Sequence, residues 1–142
     1  MGENKKTYDT PKDLPLIVSE PEILYAVRQQ NINSTHITLL KDLSGLKDDL
    51  LSATLNMNTK TFRSYKLAPA PIKPHVQEHV LALLSLFKHG IAIFGTSAKF
   101  NQWLSKVNFY FDNDAPINFL NTISGILHVD YRLSAIEYGD NV

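Results

Sequence analysis

The chain contains no cysteine, which excludes a disulfide framework, a thiolate zinc site and a cysteine nucleophile. The absence accords with a reducing compartment. Long hydrophobic runs are missing as well. The longest, Leu81 to Phe87, is interrupted by Ser85 and falls far short of the roughly 20 apolar residues of a membrane-spanning helix. No membrane partner is expected. Neither a G-x-G-x-x-G pattern nor a P-loop occurs, so nothing suggests a nucleotide cradle. The opening residues, MGENKKTYDTPKD, lack the apolar stretch of a secretory signal, and Lys6 stands where a myristoylation motif calls for Ser or Thr. The protein is expected to stay where it is made.

Net charge is absent too, since 14 Lys and Arg balance 14 Asp and Glu. That argues against a surface coated in positive charge, but a nucleic-acid-binding protein needs only one basic face. The distribution is uneven. Residues 1–55 hold six basic against eight acidic residues, 56–66 hold three against none, and 67–142 hold five against six. The local excess is the stretch NMNTKTFRSYK. What the chain does have is 44% hydrophobic residues in 142, enough for one sizeable core or two small ones.

Through about Ser19 the sequence mixes charges and prolines and reads as a loosely docked arm. Ser19-Glu20-Pro21-Glu22 has the form of a capping box and predicts a short helix over 20–30. Thr35 can cap a helix over 36–44 carrying Ile37, Leu40 and Leu43, with Gly45 placed to end it. A helix over 46–54 is expected to turn Leu46, Leu50 and Ala53 inward, with Leu51 as a further candidate, and Lys47, Asp48, Asp49 and Ser52 outward. Asn58 is a good N-cap for a helix over 59–66. On that helix Thr59, Lys60, Arg63, Ser64 and Lys66 share one broad face, while Phe62, Tyr65 and Thr61 lie opposite. Two short helices around a tight turn, the second with a cationic face, predict a helix-turn-helix that contacts DNA. A solvated charged face is the plainer alternative.

LAPAPIKP has three prolines in eight residues and reads as a stiff connector. The expected division is an arm and short helix at 1–30, a helix-turn-helix unit at 31–68, a connector at 69–74 and a C-terminal helical domain at 75–142. Beyond the connector Val76, Val80, Leu83, Leu84, Phe87 and Ile91 follow helical spacing, widened by Leu81 and Leu86. Gly90 is a candidate interruption, and Gly95-Thr96 ends the segment. Ser97 can cap a helix holding Phe100, Trp103 and Leu104. After the loop VNFYFDNDAP, Asp114 is expected to cap a helix over 115–124 that Gly125 ends, and a last helix covers 127–138. Only Asn108 to Asp112 alternates with period two, too briefly for a sheet. The fold class is all-α.

The last helix carries two apolar stripes on nearly opposite sides: Val129, Leu133 and Ile136, and Tyr131, Ala135 and Tyr138. One can face the domain's own core. The second wants another surface, whether a second copy, a different protein or more of the domain itself.

Catalytic constellations are weak. His75-Val76-Gln77-Glu78-His79 matches H-x-x-E-H, which on a helix would set two imidazoles one turn apart for zinc. Two surface histidines at a helix start are the simpler reading. His36, His89 and His128 lack a neighbouring nucleophile and carboxylate in recognisable order and read as structural. No catalytic residue, cofactor or metal is assigned.

Three stretches, LLSATLNMNTKTFRSYK, IFGTSAKFNQWLSKVNFYF with DAPINFLNTISG, and VDYRLSAIEYGDN, together resemble the Xre-type antitoxins of Xre/RES toxin-antitoxin systems, the MbcA/ParS-like family. The resemblance covers roughly residues 33 to 140. It is most specific in Phe94-Gly95, Trp103-Leu104, Asn108, Pro116, Leu120, Gly125, Val129, Leu133, Ile136 and Tyr138-Gly139. It implies a bacterial, cytoplasmic antitoxin of a type II system. A dimeric Xre-like helix-turn-helix would bind operator DNA and repress its own operon, and a C-terminal domain would cover the active site of a RES-domain toxin that consumes NAD. Toxin and antitoxin would join in a higher hetero-oligomer. By resemblance, Thr59, Lys60, Arg63, Ser64 and Lys66 fall on the recognition helix, and Trp103, Arg132, Ala135, Glu137, Tyr138 and Gly139 in the toxin-binding domain, where Tyr131 of the second stripe joins them as a candidate. The loop KVNFYFDNDAP departs from the short glycine-containing turn usual there. The rival reading is a helix-turn-helix transcriptional regulator whose C-terminal domain only dimerises.

Overall fold

The computed structural model describes residues 32–67 and 72–142. The helix expected over 20–30 lies outside the described residues, as does half of the proline-rich connector. Six α-helices follow in order: α1 (Ser34–Ser44), α2 (Asp48–Thr54), α3 (Thr59–Leu67), α4 (Pro74–Phe94), α5 (Ser97–Ser105) and α6 (Ile123–Glu137), with two 3-10 turns, Phe109–Phe111 and Pro116–Phe119, between α5 and α6. Among the described residues there is no strand, so the all-α expectation holds. Asn108 and Asp114 form one isolated bridge, which is what the short alternating segment becomes.

Local chemistry sets the helix ends. Asn33 caps α1 by accepting from the Thr35 N–H at 2.9 Å, two residues before the Thr35 cap expected. The His36 ring accepts in return from the Asn33 N–H, closing a capping box. Gly45 ends α1 at φ 67°, a left-handed position glycine takes without steric cost. Thr96, not Ser97, caps α5, its hydroxyl accepting from the Lys99 N–H at 3.1 Å. Asn58 caps α3 as expected, accepting from the Thr61 N–H at 2.8 Å.

Helix α4 is the spine. It packs against α1 on one side and against α5 and α6 on the others, and every residue from Val80 to Phe87 is buried. A helix apolar all round belongs in the middle of a bundle. Gly90 does not interrupt it. The glycine instead admits the Phe100 ring of α5, whose atoms lie 2.4 Å from where a Cβ would stand. One continuous core runs from Ile32 through Phe62 and Ile72 to Leu133. It draws on side chains from both sides of the expected connector.

Two expectations are corrected. In α2, Leu50 and Ala53 are exposed while Leu51, Ser52 and Thr54 are buried. The hydroxyls of Ser52 and Thr54 bond back to the carbonyls of Asp49 (2.9 Å) and Leu50 (2.8 Å), so polar residues can face the core at little cost. The helix expected over 115–124 is the short Pro116–Phe119 turn. Asp114 accepts from the Ala115 N–H and the Asn118 amide, each at 2.7 Å. Thr122 then caps α6, accepting from the Gly125 N–H at 2.9 Å. Gly125 thus sits inside α6, where a Cβ would lie 1.7 Å from the Phe119 carbonyl oxygen. Its function is close approach, not helix termination.

Among the described residues no single helix is long and apolar enough to cross a membrane.

Candidate functional site

Helix α3 buries Phe62 completely and packs Tyr65 against the core. Thr61, expected beside them, is exposed. Of the five residues predicted on the cationic face, Lys60, Arg63 and Ser64 are exposed. Thr59 is half-buried with its hydroxyl 3.3 Å from that of Ser52. Lys66 turns back to Asp48 at 2.9 Å, and Arg63 Nε reaches the same carboxylate at 3.2 Å. Lys41 of α1 joins them at 3.1 Å. The Lys66 ammonium, then Lys41 and Arg63, hold the Asp48 carboxyl well below the usual carboxylate range. Asp48, assigned by periodicity to the solvent, is the counter-ion of three cations.

The turn between α2 and α3 is anchored to the C-terminal region. Asn56, at φ 58°, donates its side-chain amide to the Asn121 carbonyl at 2.8 Å. Asn101 of α5 donates likewise to the Ser44 carbonyl at 2.7 Å.

The second surface centres on α6. Val129 and Leu133 are buried and Ile136 packs against the core. Tyr131 and Tyr138, 79% and 88% exposed, stand seven residues apart and so nearly in line along the helix. Ala135 lies between them, half-buried. One stripe faces in and the tyrosine stripe faces out.

On one flank of that ridge Glu137 and Asp130 bracket His89 of α4. His89 Nδ1 lies 2.7 Å from Asp130 and Nε2 lies 2.6 Å from Glu137. Only a protonated imidazole donates from both nitrogens. The bond to Asp130 raises the His89 pKa against the opposing effect of burial, and the bond to Glu137 adds to it. Asp130 itself is only 3% exposed, so this imidazolium is what neutralises a buried carboxylate. An open groove of about 760 Å³ runs alongside, lined by Lys88, His89, Ile93, Ser134, Glu137 and Tyr138.

On the other flank Arg132 is buried. Its guanidinium carbon sits 3.3 Å from the centre of the Tyr110 ring, Nη1 donates to Asp140 at 2.8 Å, and Nη2 donates to the Asn141 carbonyl. Trp103, also buried, packs among Phe94, Phe100 and Phe111 and donates Nε1–H to the Val142 carbonyl at 3.4 Å. Chain end, loop and helix are fastened together there. Of the seven residues assigned to toxin binding by resemblance, Tyr131, Glu137, Tyr138 and Gly139 are exposed, Ala135 is half-buried, and Trp103 and Arg132 are inside.

Sequence reasoning missed three residues at this surface. His89 was read as structural because its carboxylate partners lie 41 and 48 positions away, beyond any local pattern. Phe109 and Tyr110 fall within the stretch that reads as a loop, VNFYFDNDAP. Asn108 caps the turn Phe109–Phe111 by accepting from the Tyr110 N–H at 3.0 Å, which sends Phe111 into the core and leaves Phe109 exposed. The asparagine before an aromatic run was the available signal.

The H-x-x-E-H match resolves differently from two surface histidines. His75 is exposed, but His79 is buried with Nε2 2.8 Å from the Leu120 carbonyl, which requires a proton on that nitrogen. Burial lowers the His79 pKa and favours the neutral ring. Among the described residues no group of three His, Asp or Glu could hold a metal ion.

Residues 89–139 match the family model of the antitoxin Xre/MbcA/ParS C-terminal toxin-binding domain. The matched segment opens at His89 and closes at Gly139, and so spans the groove, the tyrosine ridge and the Tyr110–Arg132 stack. The match supports an antitoxin role, a toxin as partner, and a non-enzymatic regulatory protein. No curated protein matches the chain.

Proposed function

With an Xre-type antitoxin family assigned through the toxin-binding domain at residues 89–139 as the premise, we propose that the chain neutralises a RES-domain, NAD-consuming toxin and represses its own operon. Neutralisation is steric. The ridge of Tyr131 and Tyr138 with Glu137 at its side enters the toxin's nucleotide cleft and excludes substrate, which requires no cofactor and no chemistry from the antitoxin. The observation that carries this reading is that both tyrosines stand exposed while the aliphatic row of α6 faces the core, Val129 and Leu133 buried and Ile136 half-buried. Amphipathic rings left in water on a rigid helix are typical anchors for a partner.

The N-terminal half supplies the second activity. Helix α3, following the turn Leu55 to Asn58, acts as the recognition helix of a helix-turn-helix, with Lys60, Arg63 and Ser64 turned to duplex DNA. One such helix makes few contacts. A homodimer doubles them on an inverted-repeat operator, and toxin binding builds a larger hetero-oligomer in the bacterial cytoplasm.

The test is co-expression with the product of the neighbouring gene, reading cell growth and NAD content. Growth arrest and NAD loss from that product alone, relieved by this chain and accompanied by co-purification of the two, are the expected results. A neighbour that neither consumes NAD nor co-purifies would replace this reading with that of a transcriptional regulator whose tyrosine ridge serves only self-association.

A further inference from the structure

The three cations of the stretch 56–66 are not equally free, because two of them share one carboxylate of the chain itself. Arg63 and Lys66 are committed to Asp48 at 3.2 and 2.9 Å, and Lys41 of α1 reaches the same carboxylate at 3.1 Å. Lys60 has no ion pair among the described residues and is exposed. The Asp48 and Lys66 side chains are 17% and 22% exposed, so water screens that pair less than it would on an open surface, whereas Arg63 is 62% exposed. Arg63 is bound through Nε alone. Its two terminal amino groups remain outside the pair, on a guanidinium whose orientation the pair fixes.

These two effects act on DNA binding in opposite directions. Attraction to phosphate scales with the number of unpaired cations that can displace counterions, and it is blind to sequence. Readout of a base edge depends instead on a guanidinium held in place with free donors. A carboxylate that cancels charge while orienting Arg63 weakens the first and favours the second.

We infer that Asp48 is a specificity-determining residue of the α3 face: it offsets one positive charge of the cluster it forms with Lys41, Arg63 and Lys66 and holds Arg63 towards a base edge of duplex DNA. The inference rests on the proposed reading of α3 as a DNA-binding helix.

The experiment measures binding of the full chain to a duplex from its own upstream region and to a scrambled duplex of equal length, across a range of salt. Lys60→Gln should lower the slope of log affinity against log salt by about 0.9 on both duplexes, the loss of one phosphate-neutralising cation. Arg63→Gln should lower it by less than half as much, while reducing the preference for the upstream duplex. Asp48→Asn should steepen the slope by about 0.9, as one positive charge is no longer offset, and narrow the preference several-fold. Equal slope changes for Arg63→Gln and Lys60→Gln would overturn the inference, as would a folded Asp48→Asn protein with unaltered slope and preference. If Asp48→Asn does not fold, the comparison of Arg63→Gln with Lys60→Gln, both at exposed positions, decides alone. Preference for the upstream duplex in the wild type combined with either failed result rejects this inference only. Absence of binding to both duplexes at low salt rejects the reading of α3 as well.

Discussion

The guanidinium of Arg132 lies 3.3 Å from the ring centre of Tyr110 while its Nη1 donates to Asp140 at 2.8 Å. One side chain of α6 thereby holds the loop after α5 from above and the chain end from the side. A cation over an aromatic face contributes about 0.5–2 kcal/mol.

Arg132→Met keeps much of the apolar volume but loses the stack and both hydrogen bonds. It should lower unfolding free energy by about 1–3 kcal/mol, and Tyr110→Leu by less, since the bonds to residues 140 and 141 survive. Urea denaturation of the two variants checks the order. Equal stability of Arg132→Met and wild type would mean that the stack is incidental.

Gly90 and Gly125 are predicted to resist substitution for one steric reason. Gly90→Ala must displace the Phe100 ring, which occupies the space a Cβ would need, at a cost of about 1–3 kcal/mol. Gly125→Ala meets the Phe119 backbone at 1.7 Å, which cannot rotate away, so its cost should exceed that of Gly90→Ala. Thermal unfolding of both variants ranks them.

The Asp130–His89–Glu137 bridge makes part of the stability depend on pH. The His89 pKa is raised above 6.5 in the fold, so the bridge's contribution is fully present below that ordinary value and is lost as pH rises through the folded one. His79 and His36 have lowered pKa values and act in the opposite sense, losing stability as pH falls below 6.5. The clean observable is the difference between wild type and His89→Gln. It should be largest near pH 6 and shrink towards pH 9, and a difference flat with pH would contradict a protonated His89. Asp48 adds a separate acid limb. Its depressed pKa stabilises the fold above about 3.8, and that contribution disappears progressively as pH falls further.

How much of this was legible in the sequence depended on how local the cause was. Gly45, Asn58 and the apolar periodicity of α4 announce their roles within a few residues, and the helices they define stand where expected. The two-faced character of α6 was equally readable, because Leu133 and Tyr131 belong to rows of fixed angular separation. The inward face of α2 was not, since seven residues are too few for periodicity to decide and buried Ser52 and Thr54 mask it. The Pro116–Phe119 turn was missed because Gly125 looks like a helix stop until Phe119 is seen beneath it. Burial of Asp130 and Arg132 was illegible for a different reason: a charged residue enters a core only with a partner, and those partners come from α4, the aromatic loop and the chain end.

Stability and partner binding should separate at the tyrosine ridge. Exposed side chains without internal partners contribute little to folding, within about 0.5 kcal/mol, so Tyr131→Ala with Tyr138→Ala should leave the melting temperature nearly unchanged. Deleting α6 would not give this separation, because Leu133 belongs to the core.

The most direct measurement is therefore the affinity of that double variant for the toxin proposed as its partner, the product of the neighbouring gene in the co-expression test, taken by calorimetry on folded protein. A loss of about 100-fold or more is predicted, the effect of removing two buried aromatic anchors from an interface. Wild-type affinity in the double variant would contradict the claim that this ridge fills the toxin's cleft.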